Sequence, residues 1–531
     1  MASHAPDGPF RPSREDRDRR IAAIDIGSNS IRQIVAEVFP NGEIRVIDEM
    51  KAAPRLGAGL SATGQLDEAR MDDAVEALSR MATLALQQGC KRIEVVATSA
   101  VRDASNGQVF LTRVRRETGL KPRVLRGEEE ARLAFRSALA HFELGLGRSI
   151  VMDIGGGSLE LALAADGLVE RLATFPFGAI RLTEQFLAGR TGPKGVKKLR
   201  KHVRAEVKKV LPVRDWRGAA VIGSGGTFTN LAGMFLAEQG IKVRNVHGTR
   251  IPPHEVEQLL EMLSHLTIDE RLQVPGLNAG RADIIIAGLA VAAEVLARVE
   301  PREFTASRFG IREGLLLEAA RVQAVIADPG EARARSVVGF AERCHYEVPH
   351  AKQVQELALQ LFDAVGERIG CQPDERESLS DAALLHDVGY HINYAEHHKH
   401  SFHLIMHADL LGIPPDEQVV IAHVARYHRG GEPKRKHTAW AELDPDSRER
   451  VRRLSALLRV ADGLDRGHAG AVERVKVRWL DRALRLTPVP RRASDPLRLE
   501  LWGASRKAGL LAAVAGVPVE IVAPDGTVIQ D

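Results

Sequence analysis

The chain opens with short apolar, β-branched runs that alternate with longer stretches of helical spacing. Ile21–Ile26, Ile31–Val38 and Ile44–Asp48 read as strands, followed by a helix near Asp67–Gln88, a strand at Ile93–Thr98 and a helix near Gln108–Thr118. The texture returns at Ile150–Ile154 and Leu159–Ala165, two strands joined by a glycine turn. It returns again where Val221–Gly223 leads a strand through Gly225 and Gly226 into a helix. Strands alternating with helices predict α/β architecture. From about residue 325 to 470 the strand signal stops, and apolar residues recur at helical intervals, as at Val354, Leu357, Ala358, Leu361 and Phe362. After about 471 alternation resumes (Val475, Val477, Trp479; Leu497, Leu499, Leu501), predicting a small β-containing module that ends near Val528-Ile529. Asp328-Pro329-Gly330 is the expected linker ahead of the helical part.

Two turns share one pattern. Asp25-Ile26-Gly27-Ser28 and Asp153-Ile154-Gly155-Gly156-Gly157-Ser158 each follow an apolar run and precede another strand. A strand–Asp–x–Gly turn–strand unit used twice predicts a duplicated fold with the two turns facing each other. Small residues from Gly155 to Ser158 let backbone N–H groups converge on phosphate oxygens. An aspartate there would repel phosphate unless a divalent cation lay between them, so Asp25 and Asp153 imply Mg²⁺ or a similar hard ion. Gly223-Ser224-Gly225-Gly226-Thr227 repeats the small-residue turn ahead of a helix, a second kind of phosphate cradle. Any one of these alone is equally well a tight turn; three, two of them led by Asp, point to phosphate chemistry. There is no G-x-x-x-x-G-K-[ST] segment, which excludes a P-loop enzyme.

Composition narrows the class only a little. The 531 residues suggest three or four domains, and 44% hydrophobic with 27% charged residues is ordinary for a globular protein. The formal charge of +4 argues nothing by itself, but basic residues cluster. One cluster holds Lys194, Lys197, Lys198, Arg200, Lys201, Arg204, Lys208 and Lys209, and a second holds Arg429, Lys434, Arg435 and Lys436. Such runs are commonly solvated faces, and here they could also serve as a positive track for a chain of phosphates. Aromatics are only 4% and do not interleave the basic runs, so nucleic acid is not an expected partner. Cys90, Cys344 and Cys371 lack metal-type spacing and fit a reducing, cytoplasmic compartment. No apolar run reaches about 18 residues, so no membrane span is expected. Residues 1–19, rich in arginine without an apolar stretch behind it, are expected to form a flexible tail rather than a signal peptide.

The motifs, taken in order, resemble the exopolyphosphatase/guanosine pentaphosphatase (Ppx/GppA) phosphatase family. They are Ile24-Asp25-Ile26-Gly27-Ser28-Asn29-Ser30, Ala97-Thr98-Ser99-Ala100-Val101-Arg102, Gly127-Glu128-Glu129-Glu130-Ala131-Arg132 and Asp153 to Glu160. Gly223–Thr227 and Gly310-Ile311-Arg312-Glu313-Gly314 extend the match, which is close over roughly 20–320. The resemblance implies two actin-like (ribonuclease H-like, ASKHA) α/β lobes at 20–150 and 151–325. An all-α HD-like domain at 326–470 and a small α+β module at 471–531 would follow.

It also implies roles. Glu130 matches the carboxylate that activates water, with Glu129 a register alternative. Asp153 and Glu160 match an acidic pair for metal and nucleophilic water, and Asp25 joins them as a metal ligand. Gly27, Ser28 and Asn29 would bind phosphate with Gly155, Gly156, Gly157 and Ser158, and Arg102 would hold phosphate with its planar fork of donors. Leu159 stands where Thr is common, and Thr98-Ser99-Ala100 replaces a Thr-Asn-Thr-like run; neither removes a charged group. The expected reaction is direct hydrolysis, with water positioned in line and charge stabilised on the transferring phosphoryl group. The expected substrate is inorganic polyphosphate, with guanosine pentaphosphate as the alternative, Mg²⁺ or Mn²⁺ as the cofactor and a homodimer as a family-level expectation.

The histidine-rich part carries a further resemblance. His350, His386-Asp387, His400, His423 or His428, and Asp462 follow the order of an HD phosphohydrolase domain, a set suited to a second divalent metal. Two readings of this part stay open: a metal-binding domain, even an HD-type phosphohydrolase with the lobes as regulators, or a metal-free packing domain. His391, His397, His398 and His403 are expected at the surface. A non-enzymatic sensor of guanosine polyphosphates is disfavoured by the intact acidic set, and a sugar kinase by the lack of a sugar site.

Overall fold

The structure is a computed structural model. It describes residues 19–529 apart from 40–42, 143, 145–146, 189–191, 212–215, 242–244, 323–328, 409, 411 and 435–436. The expected tail up to residue 18, Asp328 of the expected linker, and Arg435 and Lys436 of the second basic cluster lie outside the described residues. The chain forms two compact units, one of Met1–Gln239 with Val246–Pro329 and one of Gly240–Asn245 with Gly330–Asp531.

The first unit contains two sheets of matching topology. In lobe I, β1 (Arg20–Ile26), β2 (Ile31–Val38), β3 (Ile44–Ala52), β4 (Arg92–Ala97) and β5 (Arg123–Val124) lie in the order β3-β2-β1-β4-β5. β1, β2 and β3 are antiparallel, and β4 and β5 run parallel to β1. In lobe II, β6 (Arg148–Ile154), β7 (Leu159–Ala165), β8 (Leu168–Phe175), β9 (Ala220–Ser224) and β11 (Phe304–Ala306) repeat that order. A short β10 (Arg250–Ile251) is added at the edge. The duplication expected from the two Asp–x–Gly turns is therefore a duplication of whole sheets.

Helices cover the faces. α1 (Glu68–Gln87) starts where the Asp67 carboxylate accepts from Arg70 N at 3.0 Å, capping the helix. α2 (Gly107–Thr118) packs on α1. α3 (Gly127–Leu139) packs Ala131, Ala134, Phe135 and Ala138 on Val151, Ala162 and Ile222 of the lobe II sheet. Lobe II is built further from α4 (Pro193–Val210), α5 (Gly225–Glu238), α6 (Pro253–His265) and α7 (Ile285–Val299). α8 (Ile311–Ala319) buries Leu315, Leu316 and Leu317 with Ile21, Ala23, Ile34 and Val96 of the lobe I sheet. Each lobe thus lends a helix to the other, and the packing boundary between lobes does not coincide with a single point in the chain.

The second unit has one continuous apolar core. Its helices are α9 (Pro329–Arg343), α10 (Val348–Val365), α11 (Glu375–Leu385), α12 (His397–Met406), α13 (Pro415–Tyr427) and α14 (Pro445–Gly463). A sheet follows in the order β12-β13-β14, made of β12 (Val472–Leu480), β13 (Ala483–Pro490) and β14 (Val519–Ile521). Between β13 and β14 lie α15 (Arg498–Lys507) and α16 (Gly509–Ala515), both packed on α14. The alternation Leu497, Leu499, Leu501, expected to be extended, is helical instead. Leu501 and Ala504 face the core while Leu499 is exposed, so the apolar spacing there marks a helix start and not a strand face. Among the described residues no helix is long and apolar enough to cross a membrane.

Candidate active site

The two hairpin turns of the first unit are superposable in their bonding. Gly27 N donates to Ser30 O at 3.2 Å, and Gly155 N donates to Ser158 O at 3.0 Å. In each hairpin the aspartate one residue from the end of the first strand stands opposite a charged partner on the second. Asp25 registers with Arg32, and Asp153 with Glu160. One fold position therefore carries a cation in lobe I and a carboxylate in lobe II.

The turns meet. A Cβ on Gly157 would collide with Ser99 Oγ and Ser28 Oγ, and one on Gly156 would lie 3.0 Å from Asn29 N. Glycine is required here by the close approach of two backbones. Ser28 and Ser99 share a hydroxyl hydrogen bond at 3.1 Å. Gly225, with φ +87°, presses against Asp153, and Gly226 leaves room for the Arg281 guanidinium, which a side chain there would strike.

Together these turns enclose a cavity of about 110 Å³, the volume of three or four liquid water molecules. Asp25, Gly27, Ser28, Asn29, Glu130, Asp153, Gly155, Gly156, Gly157, Ser158, Glu160, Gly225 and Gly226 line it. Gly223, Ser224 and Thr227, expected to bind phosphate, do not line it: Gly223 lies under the Phe228 ring, and Thr227 is buried against Gly288. Arg102 does not line it either. It stands behind Glu130, paired with that carboxylate and donating to Leu125 O at 2.8 Å, so its fork is engaged by the protein and not turned to the cavity.

The three consecutive glutamates sort by burial. Glu128 is exposed. Glu129 Oε2 accepts from Arg126 N at 2.9 Å, closing a capping box at the start of α3. Glu130, one residue on, is 3% exposed and reaches the cavity. Sequence reasoning missed four lining arginines. Arg32 could have been found as the hairpin counterpart of Glu160, and Arg312 lies inside the Gly310–Gly314 segment. Arg281 and Arg308 have no local motif to mark them.

Electrostatics show what these groups lean towards. Burial pushes Asp25 up to about 6, with Arg312 opposing. Burial likewise pushes Asp153 up to about 6 and Glu130 up to about 8, the latter against the pull of Arg102. Glu160 is raised well above the usual range by burial and by Glu130 beside it. Burial and Arg32 pull Arg281 down to about 10. A divalent cation among the carboxylates and a phosphate among the arginines would reverse both trends. Asp25 Oδ1 and Asn29 Oδ1 are buried with no hydrogen-bond partner, and an all-oxygen donor set of this kind fits a hard cation.

The first basic run is largely tied down at its arginines. Arg200 bonds Glu257 at 2.7 and 2.8 Å and Glu294 at 2.6 Å, and Arg204 bonds Glu294 at 2.7 Å. The lysines of α4 are exposed, and Lys209 among them pairs with Glu206 at 2.6 Å.

A second cluster lies in the helical unit. His350 on α10, His386 and Asp387 after α11, His397 at the start of α12 and His428 after α13 converge. Asp462 on α14 joins at 3.8 Å from His350 Nε2, and Lys507 pairs with it. His397, expected at the surface, is 1% exposed, whereas His400, expected in the cluster, is partly exposed and outside it. The inward face of α12 is set by His397, Ser401, Phe402 and Ile405, which turns His400 away. His423, the alternative to His428, donates from Nδ1 to Val419 O at 2.9 Å and packs on Phe402. Burial lowers the pKa of His386 and His428, while the surrounding imidazoles, against burial, hold Asp387 well below the usual carboxylate range.

Comparison with known proteins agrees with this geometry. The Ppx/GppA phosphatase family matches residues 33–322, and Ppx/GppA phosphatase, domain III, matches residues 332–489. Exopolyphosphatase 1 of Mycobacterium tuberculosis and of Mycobacterium bovis are each 31% identical over 301 residues, covering 56% of this chain and 87% of theirs. A crystal structure of an exopolyphosphatase from Cytophaga hutchinsonii is 26% identical, with a TM-score of 0.53, covering 57% of this chain and 99% of that one. A Ppx/GppA family member from Aquifex aeolicus is 29% identical, with a TM-score of 0.49, covering 57% and 97%. With the paired sheets, the opposed turns and the buried glutamate already in place, the match over more than half the chain makes this protein a member of the Ppx/GppA phosphatase family.

Proposed function

We propose that the chain is an exopolyphosphatase, a phosphoric anhydride hydrolase that releases orthophosphate from the end of inorganic polyphosphate. The observation that carries this reading is one small cavity in which two Asp–x–Gly turns, a buried glutamate and four arginines converge. Turn amides of Gly156–Ser158 and of Ser28 and Asn29, with the Ser28 hydroxyl, bind the terminal phosphoryl oxygens in the space that Gly27 and Gly155 leave open. Arg32, Arg281, Arg308 and Arg312 suit the phosphate behind it. Glu130 takes the proton of the attacking water at a carboxylate oxygen, and Arg102 positions Glu130 from behind. Asp25, Asp153 and Glu160 would hold Mg²⁺ or Mn²⁺, which when bound neutralises charge on the phosphoryl oxygens.

Polyphosphate is favoured over guanosine pentaphosphate on two grounds. Exopolyphosphatase 1 of the two mycobacteria and the exopolyphosphatase of Cytophaga hutchinsonii are among its relatives. Apart from Asn29, Ile154 and Ile311, the cavity wall consists of carboxylates, glycines, hydroxyls and arginines, groups that address phosphate and not a base. Phosphate release from each substrate at equal Mg²⁺ tests this: faster turnover of guanosine pentaphosphate would reverse the assignment. The helical unit is read as an HD-like domain whose cluster of His350, His386, Asp387, His428 and Asp462, with His397 in place of His400, binds divalent metal. The three cysteines are buried and free, in keeping with a reducing, cytoplasmic setting.

A further inference from the structure

Residues 54–59, between β3 and the short helix Leu60–Thr63, lie against the lobe I phosphate turn without entering the cavity. Gly57 N donates to Ser28 O at 2.8 Å, and a Cβ on Gly57 would stand 2.8 Å from Ser28 Cβ. The segment therefore backs the turn that presents Ser28 and Asn29. Leu56 anchors it in the lobe I core. Arg55, one residue earlier, is held at φ +56°, a left-handed conformation that a β-carbon resists. Such a conformation persists where the surroundings over-determine it.

Those surroundings belong to the other lobe. Arg55 Nη2 donates to Asp283 Oδ2 at 2.5 Å, and Gly59 N donates to Glu184 Oε1 at 2.8 Å. Asp283 follows Arg281 by two residues and lies within electrostatic reach of that guanidinium in the cavity wall. Glu184 belongs to the helical stretch after Gly178, made of Ala179–Leu182 and Thr183–Leu187, which backs the lobe II turn. There Ala179 N and Ile180 N donate to Gly155 O and Gly156 O at 3.0 and 2.9 Å, and a Cβ on Gly178 would strike the backbone of Gly156 and Gly157. The support of one phosphate turn is thus tied at one end to the support of the other and at the other end to Arg281. The Arg55 and Asp283 side chains are 34% and 32% exposed, and an ion pair so placed adds little to stability. What it can fix is spacing.

We propose that Arg55 and Asp283 are a positioning pair that sets the distance between Ser28 and Asn29 in lobe I and the Gly156–Ser158 amides with Arg281 in lobe II, so that one phosphoryl group meets both sets at once. The Gly59–Glu184 bond fixes the far end of the same segment and keeps it from pivoting about Arg55. The inference rests on the reading of this cavity as the hydrolytic site. Arg55 and Asp283 act through the turns and do not touch the substrate.

Polyphosphate hydrolysis by full-length Arg55→Gln, Asp283→Asn, the double variant and Arg55→Lys tests it, beside peptide-resolved hydrogen exchange without substrate. Each single variant is expected to lower kcat/KM by about 10- to 100-fold, in kcat more than in KM, as a misplaced phosphate turn does. The double variant should fall no further than either single one, because the two side chains act as a unit. Arg55→Lys keeps the cation and should retain most of the wild-type rate. Exchange over residues 24–30 should quicken in both single variants while residues 71–82 of α1 stay as in the wild type, which reports that lobe I is folded. A wild-type rate in Arg55→Gln, or losses that multiply in the double variant, would overturn the proposal. If the wild type releases no phosphate from polyphosphate, the substrate reading fails and exchange over 24–30 decides alone: quickening in both single variants supports the pair, and unchanged exchange overturns it.

Discussion

At the scale of single residues, the proposed chemistry turns on Glu130. It is buried, its pKa is pushed up to about 8, and Arg102 is the main influence keeping it from rising further. A general base works only when unprotonated, so kcat/KM should rise with pH along an ascending limb set by this group. Arg102→Met removes the cation that lowers the pKa, so the limb should move to higher pH in a pH–rate profile. An unmoved limb would make Arg102 a packing residue. Glu130→Gln should lower kcat by about 10²- to 10⁴-fold with KM little changed, as loss of a positioned base does. The distinction between Glu129 and Glu130 was not legible in the sequence, where three glutamates are equivalent. It emerges once helix α3 starts at Gly127 and uses its second acid, Glu129, as a cap, which leaves Glu130 to face the cavity. His397 and His400 were confused for the related reason that a histidine-dense helix start does not show which side will be inward. Arg281 could not have been read at all, because only the tertiary fold brings it under Gly226.

At the scale of elements, the facing turns matter more than any side chain in them. Gly157→Ala would push a Cβ into the Ser28 and Ser99 hydroxyls, and the turn would have to retreat. An overpacked contact of this sort costs about 1–3 kcal/mol. Misplacing a phosphate-binding turn by about 1 Å can cost about 100-fold in rate. A fall of kcat/KM between about 10- and 100-fold is therefore expected, read by steady-state kinetics beside a thermal melt. Gly431→Ala, where a Cβ meets open space, should leave both unchanged. The strands β1, β2, β6 and β7 were legible because buried strands are runs of apolar residues punctuated by glycine turns. The exchange of α3 and α8 between lobes was not, since an amphipathic helix declares that it has an apolar face and not which sheet will cover it. Leu497–Leu501 misled for a similar reason, because alternate apolar residues in so short a run also fit the first turn of a helix.

At the scale of the whole molecule, the carboxylates of the cavity in the first unit and the buried histidines around α13 in the helical unit respond to pH in opposite senses. In the first unit Asp25 and Asp153 stand near 6 against an ordinary 3.8, and Glu130 near 8 against 4.5. The folded state binds these protons more tightly than the unfolded chain, so the stability they contribute is complete below about pH 4 and is lost as pH rises through 6 to 8. In the helical unit burial lowers His386 and His428, and takes His398 and His423 to about 4 from 6.5. Those groups work the other way, with stability gained as pH rises from about 4 to 6.5. Hydrogen exchange resolved by peptide, in chelator, should show protection of β1 and β6 falling between pH 5 and 8 while protection of α13 increases up to about 6.5. A divalent cation that binds the charged carboxylates must add most where they are most ionised, so Mg²⁺ should restore β1 and β6 increasingly with pH. An Asp25→Asn, Asp153→Asn double variant should lose that Mg²⁺ effect and flatten the slope in chelator. If Mg²⁺ protected β1 and β6 best at pH 5, the carboxylates would not be its ligands, and the charge logic of the cleft would have to be assigned to other groups.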